Sequence, residues 1–210
     1  MEERKFFTAK NVATLGILLA LVIVLQAFGG AITIGAVSLN FTLIPIVLGA
    51  ILLGPIAGAF LGLACGVVVL IQVIIAPSGF YWYIFTYDPI VTVLTCLVKT
   101  TVAGLVAGFL FQWIEKKNRY VAVFVASGIV PILNTGLFIL GALLMNEGVA
   151  ATQDWMINTL GFAKYLGMNP FVFILVGLVT FNFFAEFGVN LLVAPALHTV
   201  YKAVEKQFKK

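Results

Sequence analysis

The sequence predicts an all-α, polytopic membrane protein with six transmembrane helices in a single membrane domain and both termini in the cytoplasm. Three observations predict it. Of the 210 residues, 62% are hydrophobic and only 10% are charged, more apolar surface than a water-soluble interior of this size hides. Apolar runs recur at lengths near the roughly 20 residues that a bilayer crossing needs. Cations also fall in three places: Arg4, Lys5 and Lys10 at the start, Lys116, Lys117 and Arg119 in one turn, and Lys202, Lys206, Lys209 and Lys210 at the end. A six-span chain puts all of these on one side. Asp88, Glu147 and Asp154 lie on the other, where Lys164 is the lone cation. The positive-inside rule assigns the basic side to the cytoplasm.

Span one covers about 11–28. Its apolar stretch exceeds the roughly 7–15 residues of a signal-peptide core, so it reads as a retained helix. Gly29-Gly30 opens a loop that runs to about Asn40. Span two, about 41–53, is short and contains Pro45, which predicts tilt or irregularity. Gly54-Pro55 makes a tight turn into span three, about 56–76. The aromatic segment FYWYIFTYD at 80–88 leads to span four, about 89–113, with Pro89 suited to the first helical position. The basic turn EKKNR precedes span five, about 120–145. After the polar stretch 146–168, Asn169-Pro170 reads as the N-cap and first residue of span six, about 170–202.

Lys99 sits in the middle of span four, in TVLTCLVKTTVAGLVAG. A charge at the bilayer centre is unfavourable by ~2.5–3.5 kcal/mol on insertion scales, so it faces a partner, a ligand or water. Thr92, Thr95, Cys96 and Ala103 share its face at helical spacing. On span six, Asn182, Glu186 and Asn190 step by four, and Asn134 follows Pro131 by three in span five. Span midpoints place these groups at similar depth. Two readings stay open. Lys99 pairs with Glu186 as a structural ion pair, or it meets a solute carboxylate while Glu186 and the asparagines bind hydroxyl or amide groups. A proton relay is a third. Asn134 either bonds backbone exposed by Pro131 or points into a cavity.

Gly54, Gly58, Gly62 and Gly66 recur every four residues, and Gly104 and Gly108 repeat the interval, which predicts close helix packing. Gly16 and Ala20 form a weaker small pair on span one. The aromatic run fits an interfacial belt or a cover over a pocket opening outward. Trp82 and Tyr87 from that run, and Asn40 before span two, complete the candidate substrate contacts.

Several functions are excluded. Cys65 and Cys96 lie in apolar runs with no CxxC or Cys/His cluster, so a metal site has no support. Neither HExxH nor a Ser/His pair is present, and His198 lies near the cytoplasmic end, so no catalytic residue is assigned and the chain is not read as an enzyme. A GxxxxGK[ST] loop is also missing, leaving ATP to partner subunits. The cation distribution fits a bilayer and gives no nucleic-acid surface.

On LNFTLIPIVLGAILLGPIAGAFLGLACGVV at 39–68, the central cation of span four, PILNTGLF at 131–138 and the small pair of span one, the chain resembles a substrate-binding S component of the energy-coupling factor (ECF) vitamin transporters. The likeness covers most of the chain and is closest to the pantothenate-type members. It implies a multi-pass protein of the plasma membrane that captures a vitamin from outside, in a pocket under the first and third outer loops. It also implies partnership with a membrane scaffold and two ATPases, and no cofactor in this chain. Gly16 and Ala20 occupy the place of the small pair that contacts the scaffold. Pantothenate carries a carboxylate, an amide and hydroxyls, which Lys99, Asn134, Asn182 and Asn190 would complement. Riboflavin, folate and cobalamin carriers share the scaffold, and an autonomous proton-coupled carrier is the rival class.

Overall fold

The computed structural model describes residues 8–29, 33–34, 37–38, 41–75, 79–159, 161 and 163–208. Its helices are α1 (Ala9–Gly29), α2 (Leu43–Leu53), α3 (Pro55–Ile75), α4 (Gly79–Tyr87), α5 (Pro89–Ile114), α6 (Arg119–Leu144), α7 (Asn146–Asn158), α8 (Pro170–Phe173) and α9 (Thr180–Phe208). A π-helical stretch, Ile174–Val179, joins α8 to α9 in one continuous helix. The described extended structure is one antiparallel ladder pairing Thr33–Ile34 with Val37–Ser38.

Five of these helices are long and apolar enough to cross a membrane: α1, α3, α5, α6 and the continuous α8–α9. The ends of the first four lie within two residues of the predicted spans. The last runs on to Phe208, past the predicted end at 202. Helix α2 lies where span two was expected, but its 11 residues rise only about 16 Å, half of a hydrocarbon core of roughly 30 Å.

Local chemistry sets the boundaries. The Asn169 side chain accepts the Phe171 N–H at 2.9 Å, with Pro170 as first helical residue. The Asn118 side chain accepts the Val121 N–H at 3.1 Å and starts α6. Gly54 turns the chain between α2 and α3 at φ +96°, a conformation open to residues without a Cβ.

The glycine interval does what it predicts. A Cβ built on Gly58 would lie 2.5 Å from the Gly104 carbonyl oxygen, and one on Gly66 would lie 2.5 Å from that of Cys96. The α3 and α5 backbones are therefore in direct contact, and the Thr100 hydroxyl donates to the Gly62 carbonyl at 2.7 Å. Helix α5 also packs on α6, and α6 on α9, while α5 and α9 do not pack closely on each other.

Helix α2 fills the bundle centre at one end, touching α5, α6 and α9. That end is the basic one, where Arg119 pairs with Glu205 and Tyr201 donates to Glu115 at 3.1 Å. The apolar cluster there includes Leu43, Ile46, Ala103, Phe111, Val130 and Ala194. At the opposite end α4 packs on α7, with the Tyr83 and Trp155 rings 5.5 Å apart. A second apolar cluster, including Ile84, Phe138, Met145, Phe173 and Val179, fills that end.

Candidate solute site

On α6 and α9, Asn134, Asn182, Glu186 and Asn190 fall between these two clusters, whereas the buried Ser127 lies within the basic-end one, between Ala126 and Val130. Asn134 lies between Val130 of the basic-end cluster and Phe138 of the other. Asn182, Glu186 and Asn190 lie between Val179 and Ala194. On α5, Lys99 precedes Ala103, the first residue of that helix in the basic-end cluster. Lys99 is 5% exposed and Glu186 4%, and they are the buried charged side chains among the described residues. Helix α2 begins near the level of Lys99: its Ile46 side chain lies against Gly104, and Thr42, just before the helix, lies 3.3 Å from the Cys65 sulfur.

The Lys99 ammonium donates to the Tyr81 hydroxyl at 3.2 Å. It stands 5.5 Å from the ring centroids of both Tyr81 and Phe138, within the range of cation–π attraction. Burial pushes the Tyr81 phenol above its ordinary value of 10.0, against the pull of the Lys99 charge. The phenol is therefore neutral at physiological pH. The ammonium thus rests on Tyr81, in place of the structural ion pair with Glu186.

The α9 stripe has a fixed polarity. The Asn182 amide donates to Glu186 Oε1 at 3.0 Å, and the Asn190 amide to the Glu186 backbone carbonyl at 2.9 Å. Each amide meets an acceptor, so turning either asparagine over would set oxygen against oxygen. Their donors are used within the helix, and their carbonyl oxygens remain. Asn134 Oδ1, Asn182 Oδ1 and Asn190 Oδ1 are all buried without a hydrogen-bond partner in the chain. A buried acceptor left unmade costs ~1–3 kcal/mol, so three between the two apolar clusters are strong grounds for a ligand that donates to them. The backbone group that Pro131 frees is a carbonyl, an acceptor like Asn134 Oδ1, so that oxygen takes no partner there.

The groups form a staircase, where the span midpoints predicted one level. Gly141 of α6 abuts Thr95 of α5, and Gly128 of α6 faces Phe187 and Leu191 of α9. Counting along these antiparallel helices sets Lys99 level with Leu137, Asn134 with the Asn182 turn, Glu186 with Pro131, and Asn190 with Ser127. Lys99 and Glu186 are then offset by about 9 Å along the bundle.

Other predicted residues lie elsewhere. Tyr87 is 53% exposed. Trp82 is half-buried on α4, its ring 6.5 Å from that of Phe85. Asn40 lies outside the described residues. Gly16 and Ala20 are exposed on α1, and a Cβ on Gly16 would meet nothing within 4 Å. The sequence reading missed Tyr81 and Phe138. Tyr81 was hidden in a run whose residues 80–83 are all aromatic. Phe138, four residues after Asn134, could have been found from helical spacing.

Fold and site together define a class: a polytopic helical membrane protein with a polar layer enclosed between two apolar clusters. The family model described as "ECF transporter, substrate-specific component" matches residues 10–198, and the chain belongs to that family. It is thus a substrate-specific membrane subunit of an ECF transporter, a transport family and not an enzyme family, and the family implies an ECF module of scaffold and ATPases as partner. No curated protein matches the chain.

Proposed function

We propose that this subunit captures a small carboxylate-bearing vitamin, pantothenate in the first instance, from outside the cell and presents it to the ECF module. One observation carries the reading: a buried ammonium on α5 lies beyond three buried acceptor oxygens that lack donors, stepped along α6 and α9. Lys99, released from Tyr81, meets the carboxylate. Asn134, Asn182 and Asn190 accept from the hydroxyl and amide donors of the solute, and Glu186 holds the Asn182 amide in place. Trp82 on α4 borders the entrance, with Tyr87 further out, and Asn40 remains a candidate contact from the sequence.

The chain then lies in the plasma membrane as six helices, with α2 crossing only the cytoplasmic half. The basic end and both termini are cytoplasmic, as the positive-inside rule requires. The exposed small face at Gly16 and Ala20 receives the scaffold, since small residues allow close helix approach. ATP is hydrolysed on the partners.

A thermal-shift screen of the purified subunit against pantothenate, riboflavin, folate and cobalamin tests the reading. Stabilisation follows RT ln(1 + [L]/Kd), so the true ligand at ~100 Kd adds ~2.7 kcal/mol. A response to pantothenate alone supports it. A shift with another vitamin and none with pantothenate replaces the substrate. Solute uptake by this chain alone, abolished by a protonophore, would replace the class with a proton-coupled carrier.

A further inference from the structure

The buried polar groups continue one turn past Glu186 toward the basic end, where Asn190, already the last solute contact on α9, comes level with Ser127, a residue the solute reading does not use. Ser127 on α6 is wholly buried, and its hydroxyl has no hydrogen-bond partner in the chain. Pro131 stands four residues later. Having no N–H, it cannot give the Ser127 carbonyl its α-helical hydrogen bond. Two oxygens of one residue are therefore without their usual partners. Across the interface, Gly128 faces the α9 turn between Phe187 and Leu191, at 3.4 and 3.6 Å. Asn190 lies on that turn. It is 1% exposed, its amide donates to the Glu186 carbonyl at 2.9 Å, and its Oδ1 has no partner. Hydroxyl, backbone carbonyl and amide carbonyl are hard, neutral oxygen donors, the ligand type that alkali and other hard cations take.

Charge gives a reason for a cation there. Lys99 and Glu186 are the buried charged side chains among the described residues and cancel. An anionic solute leaves the layer with one net negative charge inside the membrane, and one monovalent cation restores neutrality. We propose that Ser127 and Asn190 form an oxygen-lined site for a single monovalent alkali cation that accompanies the anionic solute. The charge count rests on the carboxylate reading of the solute site; the oxygen cluster does not.

Two measurements keep the ideas separate. In the first, solute-free protein is melted in NaCl, KCl, LiCl and choline chloride at one ionic strength. A higher Tm in at least one alkali salt than in choline is expected, lost in Ser127→Ala. Identical melting in all four salts overturns the site. If Ser127→Ala does not fold, Pro131→Ala, which returns a donor to the Ser127 carbonyl, should weaken the same dependence. In the second, pantothenate affinity is titrated against the stabilising cation, with choline holding ionic strength. Because coupling is reciprocal, one-to-one binding lowers the apparent Kd tenfold per tenfold rise in cation below saturation. A flat response overturns the coupling, as does affinity that falls with rising pH and ignores the cation, which would mark a proton on Glu186. Failure of pantothenate to bind in any salt would remove the solute reading and leave the first measurement standing.

Discussion

Gly62→Ala is the sharpest test of how the fold supports the site. A Cβ on Gly62 would point into the α5 backbone, 2.5 Å from the Thr100 carbonyl carbon and 2.9 Å from the Thr101 nitrogen. No flexible side chain can move aside, so α3 and α5 must part by roughly 1 Å to reach ordinary van der Waals contact. Overpacking of this kind costs about 1–3 kcal/mol. Separation also strains the 2.7 Å bond from the Thr100 hydroxyl to the Gly62 carbonyl, worth about 1 kcal/mol. The sum, about 2–4 kcal/mol, corresponds to a fall in Tm of roughly 5–15 °C for a chain of this size. Thr100 adjoins Lys99, so pantothenate affinity should fall as well. The assay is thermal unfolding in detergent, followed by equilibrium binding, with Gly136→Ala as control because a Cβ there meets nothing within 4 Å. Equal melting of Gly62→Ala and the wild type would refute the direct backbone contact between α3 and α5.

Two further substitutions separate stability from function. Asn134→Leu removes a buried oxygen that has no partner, so the solute-free protein should melt no lower than wild type and up to about 2 kcal/mol more stably, while pantothenate affinity drops at least tenfold. A clearly destabilised variant would mean that Asn134 has a structural role. Gly16→Leu adds bulk to an open, exposed face of α1. It should leave Tm and solute affinity unchanged but abolish co-purification with the ECF scaffold, and retained co-purification would move the docking surface elsewhere.

The long helices were legible because apolar length and proline punctuation report them directly. Pro89 and the Asn169-Pro170 pair begin helices where they were read to begin, and the glycine interval marked the α3–α5 seam. The two short helices at the aromatic end were not legible. Six of residues 79–87 are aromatic, four of them in succession, which obscures any helical stripe, and the polar α7 sequence NEGVAATQDWMIN carries no apolar run to announce it. Tyr81 was lost with α4. The depth of the polar groups also misled. Span midpoints treat helices as level rods, whereas the staircase depends on which side chains interlock, Gly141 with Thr95 and Gly128 with Phe187. The π-helical stretch at Ile174–Val179 has no sequence signature that distinguishes ILVGLV from ordinary helix. Ser127 went unnoticed because a single serine in an apolar helix is commonplace, and only its burial without a partner gives it meaning.

The claim on which the rest depends is that the Lys99 ammonium receives the carboxylate of the solute. Panthenol, the alcohol corresponding to pantothenate, lacks only that charge, so calorimetric titration of both compounds against wild type and Lys99→Gln isolates the contact. A hydrogen-bonded charge pair of this kind is worth about 2–3 kcal/mol, so wild type should prefer pantothenate by roughly 30- to 150-fold, and Lys99→Gln should bind both compounds about equally. A preference for pantothenate that survives intact in Lys99→Gln would contradict the account.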